Sequence, residues 1–320
     1  MKGMQTTTSP SADIISGSSA QAPQADDKAS LIASIPYYAV HLGCLAALWV
    51  GVNWVDVALC IGLYYLRMFG ITAGYHRYFS HRAYKTSRAF QFVLALLGTL
   101  SIQKGVLWWA AHHRSHHKYS DQPRDIHSPV QRGLYWAHQG WILCHKYDAT
   151  DWPRIQDFAK YPELVWLNNH FLIPPMLAGG LLYLLGGWHF FVWGGLISTV
   201  LLWHGTFTIN SLSHVWGKRR YQTTDDSRNN WVLAILTMGE GWHNNHHHYQ
   251  STANQGFFWW EVDFSYYILK LLSVFGIVWD LRKPPKHILE NKEALLPNLP
   301  KQLEEGLEAA TLNPPVNVSL

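Results

Sequence analysis

Residues 171–203 read FLIPPMLAGGLLYLLGGWHFFVWGGLISTVLLW, a stretch without a single Asp, Glu, Lys or Arg. Gly186-Gly187 offers a turn near its middle, so it reads as a hairpin of two spans, 171–186 and 189–208, each close to the ~20 apolar residues that cross a bilayer. A similar stretch lies upstream, where Asp56 is the one such charged residue between Pro36 and Leu66 and Gly51-Val52-Asn53 supplies the turn between spans 34–50 and 55–73. The expectation is an all-α membrane protein with four transmembrane helices in two hairpins.

Charge sets the topology. Neither tight connector carries Lys or Arg, whereas Arg77 to Lys160 and the chain from Lys218 onward are studded with them. By the positive-inside rule the connectors face out, and both termini and a helical cap built from 74–168 and 209–285 face the cytoplasm. Within that cap, Phe90 to Trp109 is apolar but contains Gln103 and Lys104, which suggests an interfacial or partly embedded helix. Residues 1–30, rich in Ser, Ala, Gln and Thr, read as a disordered tail. Lys283-Pro284-Pro285 closes the folded domain 31–285, and 286–320 forms a C-terminal tail.

The formal charge of +4 suits a protein lying against anionic lipid, and no basic block of the nucleic-acid-binding kind occurs. Cys44, Cys60 and Cys144 are too few and too scattered for a disulfide framework.

Three clusters of histidine punctuate the cytoplasmic regions: His76 and His81 in HRYFSH, His113, His116 and His117 in HRSHH, and His243, His246 and His247 in HNNHH. Burying that many imidazoles unpartnered would cost a few kcal/mol each. Bound metal removes the cost. On a helix, positions i, i+3 and i+4 share a face, so each triplet is expected to converge. His76 and His81 are five apart and would be rotated away from each other on a regular helix, so they either straddle a helix end or serve two metals, with a helix start near Gly74. Eight histidines without nearby cysteine are unlike structural zinc and suit two ions. The all-imidazole shell is compatible with iron, copper or zinc. His112 and His248 adjoin the clusters without being assigned as ligands, and isolated histidines such as His41, His189 and His287 read as interfacial or hydrogen-bonded residues.

The ordered set GYHRYFSHR (74–82), HHKYSD (116–121), INSLSH (209–214) and GEGWHNNHH (239–247), following two apolar hairpins, resembles the membrane fatty-acid desaturases, in particular the bacterial type of the stearoyl-CoA desaturase-like Δ9 branch. The resemblance spans residues 35–285. It implies a cytoplasmic di-iron centre (Fe2+/Fe3+), O2 as co-substrate and removal of two hydrogens from a long acyl chain, in an integral protein of the bacterial inner membrane. It adds His214 as a ninth ligand and Asn210 as one acting through water. Where animal acyl-CoA members carry an Arg-Asp pair, this chain has Ala111-His112, which favours an acyl lipid over acyl-CoA as substrate. Trp109, Trp141, Trp203 and Phe207, with Trp108 nearby, are candidates for an apolar substrate channel.

No haem, flavin or iron–sulfur motif is present, so electrons must come from a separate ferredoxin, rubredoxin or cytochrome, docking near cations such as Arg114, Lys118, Lys218, Arg219 and Arg220. A histidine-rich membrane hydroxylase or ketolase is the nearest rival. A metal transporter is the distant one, because its histidines would lie along a path within the spans.

Overall fold

In the computed structural model, which describes residues 30–289, the chain is mostly helical. The first apolar stretch rises as helix from Leu31 to Val50 with a 3-10 segment at Cys44–Ala46. Gly51 reverses it at φ 76°, a left-handed conformation that glycine tolerates. The return helix begins at Trp54 under a capping box, in which the Asn53 side chain accepts from the Asp56 N–H and the Asp56 carboxylate accepts from the Asn53 N–H. It runs without a break through Phe69 into a π-helical stretch, Gly70–Ser80.

The second apolar stretch is helical from Ile173 to Ser211, ending in a 3-10 turn at Leu212–His214. Gly186 (φ −148°, ψ 18°) and Gly187 (φ 59°, ψ −146°) leave the helical region and break it in two. The two apolar stretches pack together where Gly194 admits Leu59 and Leu63. A buried Arg67 also joins them, donating to the hydroxyls of Ser198 and Thr199 at 2.6 Å each. Their outer surface is apolar, with Leu48 87% and Leu184 82% exposed, which water disfavours and lipid accepts.

By length and apolarity two stretches among the described residues qualify to cross a membrane, Trp54–Ser80 and Ile173–His214, and not the four expected. The second of these is itself divided by the glycine turn at 186–187, and Ser34–Val50 falls among the shorter apolar helices. Nor does a helix start near Gly74, because the preceding one continues to Ser80. The segment 90–109 is two helices, Arg88–Thr99 and Val106–Tyr119, separated by Ile102 and Lys104 at positive φ. A two-residue ladder pairs Lys85–Thr86 with Val278–Trp279, so the fold is not purely helical. Lys286–Leu289 forms a helical turn where a tail was expected. The terminal segments otherwise lie outside the described residues.

The main core, including Met68, Tyr75, Leu94, Leu107, Leu164 and Leu167, sits where the π-helical stretch meets the cap helices. Gly70 and Gly98 let two backbones touch there: a Cβ on Gly70 would lie 2.5 Å from the Gly98 nitrogen. Gly70→Ala is therefore expected to destabilise by about 1–3 kcal/mol through overpacking. A lowered melting temperature in detergent checks it.

Candidate metal centre

The histidines assemble from four separate stretches. His76 lies in the π-helical turn and His81 caps it, its N–H donating to the His76 carbonyl at 3.2 Å. This i→i+5 closure is the hallmark of π winding and returns residues five apart to one side of the helix. The pair therefore serves one group, not two metals. That group comprises His76, His81, His113, His117 and His246, and a second comprises His116, His214, His243 and His247. Within each, the ring nitrogens lie within 4.8 Å of one another.

Each histidine triplet divides between the groups instead of converging as a unit. Successive helix residues are about 100° apart around the axis, so His116 and His117 cannot face the same point. His113 and His117, one turn apart, go to the first group and His116 to the second. Likewise His243 and His247 join the second group and His246 the first.

Nitrogen spacing tests whether ions fit. Nε2 atoms approach at 3.0 Å for His76 and His246, 3.0 Å for His246 and His117, 2.9 Å for His117 and His113, and 3.0 Å for His113 and His81. His214 and His243 approach at 3.1 Å. A neutral imidazole has a single N–H, and that of His76 is directed to Glu240, so its Nε2 offers only a lone pair. Nitrogens about 2.1 Å from a common ion and at right angles around it would be about 3.0 Å apart. His247 Nε2 is buried without a hydrogen-bond partner among the described residues, while its Nδ1 faces Asp225 at 2.5 Å. The donor set fits metal in both groups.

Electrostatics keep most of these rings neutral. Burial first, and then the neighbouring imidazoles, holds His81, His113, His117, His243 and His246 far below the usual histidine range. Neutral imidazole is the ligating form. Burial also tends to lower His116, but the Asp125 carboxylate at 3.0 Å outweighs it and raises that ring.

Four carboxylates orient the rings, and none of them is among the candidates that histidine spacing picks out. Glu240 faces His76 Nδ1 at 2.5 Å, Asp121 faces His214 Nδ1 at 2.8 Å, and Asp125 and Asp225 face His116 and His247. Such partners fix the tautomer and make the opposite nitrogen a better donor. Asp121 and Glu240 lie inside the quoted HHKYSD and GEGWHNNHH strings, so the signal was present. His127, likewise outside those candidates, is buried against His116 and forms a third cluster with it and Asp125. His112 and His248 enter none of the three: one bonds the Trp108 carbonyl and the other stacks on Tyr221.

A cavity of about 350 Å³ is lined by Trp108, Trp109, Trp141, Trp203 and Phe207, together with Pro36, Tyr37 and Val40 from the first helix and Lys104 and Asp148 from the cap. A smaller one of about 40 Å³ is bounded by His76, His113 and His243, and so touches both histidine groups. Trp109, Thr206 and Asn210 line both spaces. Three of the cations considered for docking are engaged internally. Arg114 binds Asp157 and the Phe79, Ser80 and Arg154 carbonyls, Arg219 binds Asp226, and Arg220 binds Glu261.

The fatty acid desaturase family model matches residues 52–270. The chain is 37% identical over 253 residues to the sn-1 stearoyl-lipid 9-desaturase of Anabaena variabilis, covering 78% of this chain and 93% of that protein. It is 37% identical over 231 residues to the sn-2 palmitoyl-lipid 9-desaturase of Nostoc, covering 70% and 81%. Identity to the acyl-CoA C20 Delta5-desaturase of Anemone leveillei is also 37%, over 236 residues, covering 72% and 75%. With two groups of histidines side by side at an apolar cavity, these matches mean that the chain belongs to the fatty acid desaturase family and is an oxygen-dependent acyl desaturase.

Proposed function

We propose that this desaturase introduces a cis double bond at the Δ9 position of a long saturated acyl chain carried by a membrane lipid. The carrier and position follow the names of the Anabaena and Nostoc relatives. The observation that carries the reading is that the apolar cavity and the small space bordered by both histidine groups adjoin, sharing Trp109, Thr206 and Asn210 as lining residues. Each turnover takes two hydrogens from adjacent methylenes, with two electrons and two protons from outside, and reduces one O2 to two waters.

The nine clustered histidines would hold two irons, with Asn210 acting through water. Iron supplies the one-electron redox chemistry that zinc lacks and that an unactivated C–H bond demands. The chain's own residues do the rest. Trp109, Trp141, Trp203 and Phe207 exclude water and fix the acyl chain so that two chosen methylenes meet the histidine pocket. At the polar side of the cavity Lys104 is paired with Asp148, leaving little net charge for a headgroup. That suits a glycerolipid better than a polyanionic carrier.

Four membrane crossings with a cytoplasmic cap complete the proposal, the turn at Gly186-Gly187 dividing the long second stretch. We place the protein in a bacterial inner membrane, with a separate small redox protein of ferredoxin, rubredoxin or cytochrome type as electron donor. Lipid analysis of an aerobic host expressing the chain is expected to reveal new Δ9-monounsaturated chains on intact glycerolipids. A product heavier by one oxygen would instead indicate a hydroxylase, and product confined to acyl-CoA would reassign the carrier.

A further inference from the structure

Beyond that reading, and resting on its assignment of two ions to the nine histidines, we infer that the two metal positions are unequal: the four-histidine position is the tightly held one, and the five-histidine position is the exchangeable one. Two independent observations support this.

The first is charge. Three of the four rings in the smaller group have a carboxylate on Nδ1: Asp121 on His214, Asp125 on His116 and Asp225 on His247. These acids are themselves held in place. Asp121 accepts from the Ser128 hydroxyl and the Asp226 N–H, Asp125 from the Asp121 and His127 N–H groups, and Asp225 from the Ser227 N–H. In the larger group Glu240 on His76 is the one such carboxylate among the described residues, and it also binds the Arg77 guanidinium at 3.1 Å. That cation is shared with the Asp263 carboxylate at 2.9 Å, so it offsets part of the negative charge of Glu240. Anionic partners raise the donor strength of the rings they touch and attract positive charge across a low-dielectric pocket. The smaller group receives three such contributions, the larger one a single contribution that Arg77 partly offsets.

The second is access. His116, His214, His243 and His247 are all buried, whereas His81, His113 and His117 in the larger group are partly open. An ion held there has a shorter route to solvent or to a competing chelator. Asp121, Asp125 and Asp225 are on this account positioning residues, acting on metal through the rings they orient.

The test uses the full-length protein in detergent, loaded anaerobically with ferrous iron and mixed with ferrozine, whose absorbance reports each ion as it leaves. Two phases are expected, separated at least tenfold in rate. Asp225→Asn, close in shape to the native residue, is expected to weaken retention in the slow phase by ~10–100-fold. Glu240→Gln should alter the fast phase alone. His81→Ala should remove the fast phase and keep the slow one. A single phase for both ions, or acceleration of the fast phase by Asp225→Asn, overturns the inference. Failure of the wild-type chain to bind iron at all overturns the underlying assignment instead, so the two failures are told apart.

Discussion

His243→Ala is expected to abolish acyl desaturation, with product falling by more than the ~100-fold that changes at outer partners of a metal site cost. His243 belongs to the fully enclosed group, its Nε2 lies 3.1 Å from that of His214, and it also borders the small space between the groups. Its Nδ1 has no hydrogen-bond partner among the described residues. Truncation therefore breaks no protein hydrogen bond at Nδ1 and removes a nitrogen aimed at the metal position, so metal retention falls, and with it the share of folding free energy that bound metal contributes. Gas chromatography of host lipids measures product, and iron per purified chain measures the second effect. Wild-type product from a variant of unchanged iron content would remove His243 from the proposed site.

Arg77→Ala should be the most damaging change outside the histidines. The guanidinium is 1% exposed and lies between Glu240 and Asp263, both buried, at 3.1 and 2.9 Å. It also donates to the Ala253 carbonyl at 2.8 Å. Removing it strands two carboxylates away from water, and breaking a buried pair in this way costs about 3–5 kcal/mol. Glu240 would also be free to shift away from His76, so misplacement of that ring accompanies the instability. Thermal unfolding in detergent should report the first consequence and early loss of iron the second. Arg77→Lys restores a charge but not the fork that spans both acids, so it should recover only part of the stability.

Much of this arrangement could be read from residue order alone. The apolar stretches, the glycine turn at 186–187 and the histidine clusters are visible because composition and spacing report them directly. The eight histidines of the clusters, and His214, which the family resemblance adds, all stand in one of the two groups. What spacing could not convey was the division of labour. A rule that treats i, i+3 and i+4 as one face ignores the rotation between His116 and His117, and no residue pattern announces that 70–80 winds as a π-helix. The break after Thr99 was hidden for a similar reason, since Ile102 and Lys104 adopt left-handed backbone without the glycine that usually marks it. The carboxylates were missed because pairs such as Asp121 with His214 form only when distant segments meet.

The order in which these segments leave the ribosome has a consequence for biogenesis. On the proposed topology, the pocket cannot close until His247 has been synthesised, by which time both apolar stretches have already been made, so insertion into lipid would precede cofactor capture. Because metal binding to such a pocket contributes directly to its folding free energy, a cell starved of metal should accumulate inserted but incompletely folded chains, exposed to proteolysis at the cap while their membrane segments stay protected.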